Sequence, residues 1–137
     1  MTYRVIIVLT LLLSSCHSSD AELHSTTVRV VEPAEASAVI TEDETIVILD
    51  IRTPAEFADA HIENAVNIDF SQSDFATKVM ALDKQKTYLV YCRSGRRSTL
   101  AMETFEDAML TQVLHLADGL NGWQAAALPV VKEKRDE

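Results

Sequence analysis

The run Thr45-Ile46-Val47-Ile48-Leu49-Asp50 is almost continuously apolar. A strand without a polar face must be covered on both sides, a condition met in parallel sheets flanked by helices. A second run, Thr87-Tyr88-Leu89-Val90-Tyr91, is β-branched and aromatic and leads as a strand straight into Cys92. Shorter strands are read at Val28-Arg29-Val30-Val31, at Ala65-Val66-Asn67-Ile68 and at Gln112-Val113-Leu114-His115-Leu116.

The segments between them carry helix signals. Glu32-Pro33-Ala34-Glu35 begins a helix with proline at its first position. Thr53-Pro54-Ala55-Glu56 forms a capping box, in which the threonine accepts from helix amides and the glutamate reaches back, and a short helix runs on through Ala60. Asp74 to Leu82 spaces its apolar residues as a helix does. Ser98 to Met109 is helical, with Leu100, Ala101, Thr104, Phe105 and Ala108 on one face. Asp118-Gly119 turns into a last helix carrying Trp123, whose helical spacing from Ala126 places it in the core. Strand and helix alternate with short connections, so the fold class is α/β: a mainly parallel central sheet of about five strands with helices on both faces. In such sheets sites form at the carboxyl ends of strands, and Cys92 stands at one.

The chain opens Met1-Thr2-Tyr3-Arg4 and continues as an apolar run to Leu13, too short for a permanent span and laid out as a signal peptide over residues 1–15. Leu13-Ser14-Ser15-Cys16 resembles a bacterial lipobox, which implies lipid on Cys16. Residue 17 is not Asp, and the resemblance then favours the outer membrane, facing the periplasm. The alternative is a plain secretory peptide cut a few residues later. Residues 16–27 suit a flexible tether, residues 28–131 form one domain, and the charged tail 132–137 is expected to fray. A composition of 47% hydrophobic and 24% charged residues supports a packed core, and a formal charge of −9 disfavours nucleic acid as a partner.

With Cys16 lipidated, Cys92 has no disulfide partner in the chain. A free cysteine is most often a small buried hydrophobe, but the neighbours of this one argue otherwise. Tyr91-Cys92-Arg93-Ser94-Gly95-Arg96-Arg97-Ser98 reads as strand, tight loop and helix. Thiolate, the nucleophilic form, is favoured near cations and at a helix N-terminus. Gly95 lets the loop curl so that its amides face inward as an anion nest, and Arg93, Arg96 and Arg97 supply positive charge for an oxyanion.

This segment resembles the active-site loop of rhodanese-family sulfurtransferases. Leu49-Asp50-Ile51-Arg52 with Glu56-Phe57, His61 to Ile68, and Gly119-Leu120-Asn121-Gly122-Trp123 followed by Leu128-Pro129-Val130 resemble other signatures of that family. Together they cover roughly residues 28 to 131. The pattern is departed from at Ala60, Asn64 and Ala127, where glycine is usual, and at Asp69, where proline is frequent. These departures concern local turns. The resemblance implies a ping-pong cycle in which Cys92 takes sulfur from thiosulfate or a similar small sulfur-containing anion and hands it to cyanide or a thiol. No metal or organic cofactor is implied. Arg93, Ser94, Gly95, Arg96, Arg97 and Ser98 form the substrate-binding loop, the arginines as a group. Asp50 and Arg52 either tune the site or form a structural ion pair. His61 sits in a motif of structural character, and His115 and His24 carry no pattern.

Rival functions follow from the same residues. Cysteine phosphatases and arsenate reductases also join a cysteine to an arginine at a helix start, but at the position Ser98 occupies here, and Arg97 falls one residue early. A non-catalytic binding module at the membrane surface leaves the cysteine and its arginines without a task. Thiol–disulfide exchange would need an external thiol, since the chain has no CxxC.

Overall fold

A computed structural model of the protein describes residues 25–133. The signal segment, Cys16, most of the tether and the last residues of the tail lie outside the described residues. Five strands, β1 (Thr27–Val31), β2 (Val47–Asp50), β3 (Val66–Asn67), β4 (Thr87–Tyr91) and β5 (Gln112–Leu116), form one sheet in the order β1-β5-β4-β2-β3 with every pairing parallel. The helices are α1 (Pro33–Glu42), α2 (Pro54–Asp59), α3 (Phe75–Met80), α4 (Arg96–Asp107) and α5 (Gly119–Ala125). The expected α/β architecture is thus the observed one. The first strand starts one residue earlier than its sequence suggests, because the Thr27 amide donates to Thr111 O.

Strand alternation divides the interior into two cores. Tyr88, Val90 and Cys92 face one side, packing with Phe75 and Val79 of α3 and Ala101 and Phe105 of α4. Leu89 and Tyr91 face the other, packing with Ala36 of α1 and Leu120 and Trp123 of α5. Trp123 is buried, as expected, and its Nε1–H donates to Pro129 O at 2.9 Å.

Helix α4 corrects one expectation. It begins at Arg96, and its inward stripe is Ser98, Ala101 and Phe105, continued by Ala108. Leu100 is 62% exposed and Thr104 only partly buried. Successive helical residues are rotated by about 100°, so Leu100 is turned away from the stripe that Ala101 occupies.

The family-atypical positions resolve individually. Ala60 is extended, a conformation open to any residue, whereas Asn64 (φ 63°) and Ala127 (φ 57°) take the left-handed conformation without being glycine. Asp69 fastens its turn by accepting from the Ser71 amide and hydroxyl at 2.9 and 2.8 Å.

Candidate active site

β4 is flanked by β5 on one side and β2 on the other, and its chain leaves toward α4 on one face while the chain from β5 leaves toward α5 on the other. The loop after β4 therefore sits in the crevice between two diverging connections, the place where parallel sheets form sites. The start of α5 backs directly on that loop: the amides of Leu120 and Asn121 donate to Cys92 O and Arg93 O at 2.8 and 3.0 Å. Gly119 fits there because a Cβ would lie 2.4 Å from Cys92 O. Gly95 is bound more tightly still, with a positive φ of 88° and a Cβ position only 1.6 Å from Ala117 O. Its left-handed turn reverses the chain so that the Gly95 amide points back at Cys92 and α4 starts under the sulfur.

Cys92 is buried, at 1% exposure. The Gly95 N–H donates to its Sγ at 3.2 Å, and Ser98 Oγ lies 3.5 Å away. Burial pushes the thiol up, but hydrogen bonds from the Ser98 hydroxyl and from the amides of Ser98, Ser94 and Gly95 outweigh it, leaving the thiol below its ordinary pKa. The nest expected of the loop is thus present, and it favours thiolate.

The three arginines part company. Arg97 forms a two-point bridge to Glu56, Nη1 to Oε2 at 2.8 Å and Nη2 to Oε1 at 2.7 Å. Its charge also acts on Cys92. Arg93 and Arg96 are exposed, and neither is held by an acidic side chain within the described residues. Glu56 carries two duties. It closes the capping box of α2, taking the Thr53 amide at 3.1 Å, and it anchors Arg97, whose hydrogen bonds bring the carboxyl down to about 2.

Asp50 and Arg52 form an ion pair with each other. Both are buried, Arg52 Nη2 lies 2.6 Å from Asp50 Oδ2, and the same nitrogen donates to Ala60 O at 2.6 Å. The guanidinium also stands 5.7 Å from the centroid of the Tyr91 ring. Burial disfavours the Arg52 charge, yet Asp50 more than compensates, and its pKa is raised. His61 is occupied structurally: Nδ1 contacts Phe57 O at 2.8 Å, the ring stacks on Phe57, and the backbone bridges to Val131.

Two participants went unread in the sequence. Glu56 was visible as a cap but not as the partner of Arg97. His115, in β5, brings Nε2 to 2.8 Å from Ser98 Oγ. A lone polar residue in the otherwise apolar run Val113 to Leu116 was the available signal.

Beside the loop opens a polar groove of about 320 Å³, lined among others by Arg52, Glu56, Asp59, Arg93, Asn121 and Gln124. A larger cavity of about 460 Å³, at Ile40, Thr41, Glu44, Ile46, Ile48 and Asn64, is lined by no residue of the cysteine loop.

The fold and site define a parallel α/β domain with a buried, amide-cradled cysteine at the mouth of a central strand. Residues 32–126 match the family model of the rhodanese-like domain, and the chain belongs to that family. It is similar to a sulfurtransferase of Allochromatium vinosum, 29% identical over 104 residues, 76% of this chain and 95% of that one. The thiosulfate sulfurtransferase PspE of Escherichia coli is 30% identical over 84 residues, 61% of this chain and 77% of PspE. An uncharacterized protein of Synechocystis is 32% identical over 93 residues, and there the match covers 68% of this chain but only 51% of the relative's length. Among solved structures, the rhodanese-related protein of Thermoplasma volcanium superposes with a TM-score of 0.67 at 30% identity, covering 77% of this chain and 99% of that one.

Proposed function

We propose that the domain is a sulfurtransferase that moves a sulfane sulfur from thiosulfate or a similar anionic donor, through a persulfide on Cys92, to a thiol or cyanide. The observation that carries this reading is the Cys92 sulfur, held by the Gly95 amide and the Ser98 hydroxyl with its pKa lowered. The thiolate attacks the outer sulfur of the donor, a new S–S bond forms, the old one breaks, and sulfite leaves with the bonding pair. The acceptor then attacks the outer sulfur of the persulfide and releases Cys92 as thiolate, so the cycle closes without net redox change. Division into two displacements lowers the barrier to each. The loop amides that hold the thiolate hold the persulfide anion, and the exposed Arg93 and Arg96 draw in the negatively charged donor. The site acts outside the cytoplasm, tethered to a membrane through lipid on Cys16, as the lipobox-like segment suggests.

Intact mass spectrometry of the purified protein before and after thiosulfate tests the covalent step. A gain of about 32 daltons that requires Cys92, is absent in Cys92→Ser and is discharged by cyanide is the expected result. No gain on a folded protein with a free Cys92 thiol would refute thiosulfate as donor.

A further inference from the structure

His115 lies in β5 between Val30 of β1 and Val90 of β4, and only 6% of it is exposed. Burying an imidazole among apolar strands is costly unless its polar atoms are satisfied. Its Nε2 meets one side chain, Ser98, whose Oγ is 2.8 Å away. Burial holds the imidazole pKa below its ordinary value, so the ring is neutral and carries a single N–H.

The position of that N–H follows from a count of protons around Ser98. Its hydroxyl has one proton and three neighbours: Gly95 O at 3.0 Å, His115 Nε2 at 2.8 Å and Cys92 Sγ at 3.5 Å. Ser98 Oγ donates to Gly95 O, but that oxygen also accepts from the Thr99 amide and from Thr99 Oγ1, both at 2.9 Å, and three donors share its two lone pairs. The Ser98 proton is therefore contested by Gly95 O, His115 and the sulfur, and an anionic sulfur is the charged acceptor among them. With the ring proton on Nδ1, Nε2 would claim it, and Ser98 would turn a lone pair toward the anionic sulfur. With the proton on Nε2, the ring donates into a Ser98 lone pair and the hydroxyl proton is left for the crowded Gly95 O or for Cys92, of which the anionic sulfur is the stronger acceptor.

We propose that His115 is a positioning residue for sulfur transfer: its Nε2–H fixes the Ser98 hydroxyl as a donor to the Cys92 sulfur. The inference rests on Cys92 being the nucleophile proposed above, but its test needs no sulfur donor. His115 does not touch the reacting atoms. It acts through Ser98, selecting which of two hydroxyl orientations the thiolate and the persulfide meet.

Two measurements test this. In the wild-type protein, long-range proton–nitrogen NMR of the histidine rings should show His115 as the neutral Nε2–H tautomer; the Nδ1–H tautomer would overturn the proposal. The second is the pH dependence of iodoacetamide alkylation, read at Cys92 by peptide mass spectrometry. A charge-assisted hydrogen bond that loses its orientation should raise the thiol pKa by about one unit in His115→Leu. His115→Gln, which returns an N–H donor, should recover most of that shift. In a Ser98→Ala background, His115→Leu should add no further shift, since the path through the hydroxyl is already cut. An unchanged thiol pKa in folded His115→Leu, or an equal shift with and without Ser98, would refute the mechanism. If His115→Leu does not fold, the wild-type tautomer decides. Because alkylation reads the thiolate directly, failure here leaves the persulfide experiment standing, and failure of persulfide formation leaves this result interpretable.

Discussion

Glutamine at position 56 would separate the two duties of Glu56. Glutamine can still close the capping box with Thr53, so Glu56→Gln removes the charge opposite Arg97 while keeping the α2 cap. In the folded chain the carboxyl pKa falls from 4.5 to about 2, chiefly through the hydrogen bonds from Arg97. Taken at face value such a shift corresponds to about 3 kcal/mol. The two side chains keep 26% and 30% of their surface in water, however, and solvent screens the pair, which reduces its worth to about 1–2 kcal/mol. The sign follows from the direction of the shift. A carboxyl with a depressed folded pKa contributes stability that is complete above its unfolded value of 4.5 and is lost as pH falls through about 2. Urea denaturation of wild type and Glu56→Gln at several pH values measures the contribution directly. The variant should be less stable by about 1–2 kcal/mol near neutrality. That difference should shrink progressively below pH 4.5, the unfolded value. A difference that stayed constant down to the folded pKa, or that was absent at neutrality, would refute the argument that the Arg97 bridge stabilises this fold.

Replacement of Ala127 by glycine should stabilise the protein by roughly 0.5–1 kcal/mol: relief of a left-handed alanine at φ 57° outweighs the greater freedom of glycine in the unfolded chain, and chemical denaturation reads the gain. Phe105→Ala should cost about 3–5 kcal/mol because it empties the core beneath β4, whereas Leu100→Ala on the same helix should cost less than about 0.5 kcal/mol, a contrast visible in their denaturation midpoints. Since the Cys92 thiol is lowered in the folded chain, its contribution to stability is complete above the ordinary thiol pKa and is lost as pH falls through the lowered one. The stability of wild type relative to Cys92→Ala should accordingly rise as pH climbs from the lowered folded pKa to above the ordinary thiol value of 9.0, and a pH-independent difference in thermal melts would count against the lowered pKa.

Sequence determined those features whose causes lie within a few residues of chain. The continuous apolar run before Asp50 demanded a parallel strand covered on both faces, and β2 is one. The capping box at Thr53 and Glu56 started α2 where it was read, because both partners sit in one helical turn. The cysteine loop was equally local: strand end, glycine and helix start follow one another between Tyr91 and Ser98, and the thiol lies in the resulting nest. Leu100 failed for a local reason of another kind. Periodicity shows that a helix has an apolar face, but which stripe turns inward depends on what the helix packs against.

Tertiary structure alone decided how the loop is wired. Glu56 reaches Arg97 across 41 positions of sequence, and His115 reaches Ser98 across 17. Both meetings depend on a strand order that places β4 between β5 and β2, so that residues from either neighbouring connection converge on the end of β4. Sequence could therefore nominate three arginines for the sulfur site, while only the packing distinguished the one bound to a carboxylate from the two exposed to solvent. A side chain carries its chemistry from the sequence, but the groups that compete for its protons and charge are chosen by the fold.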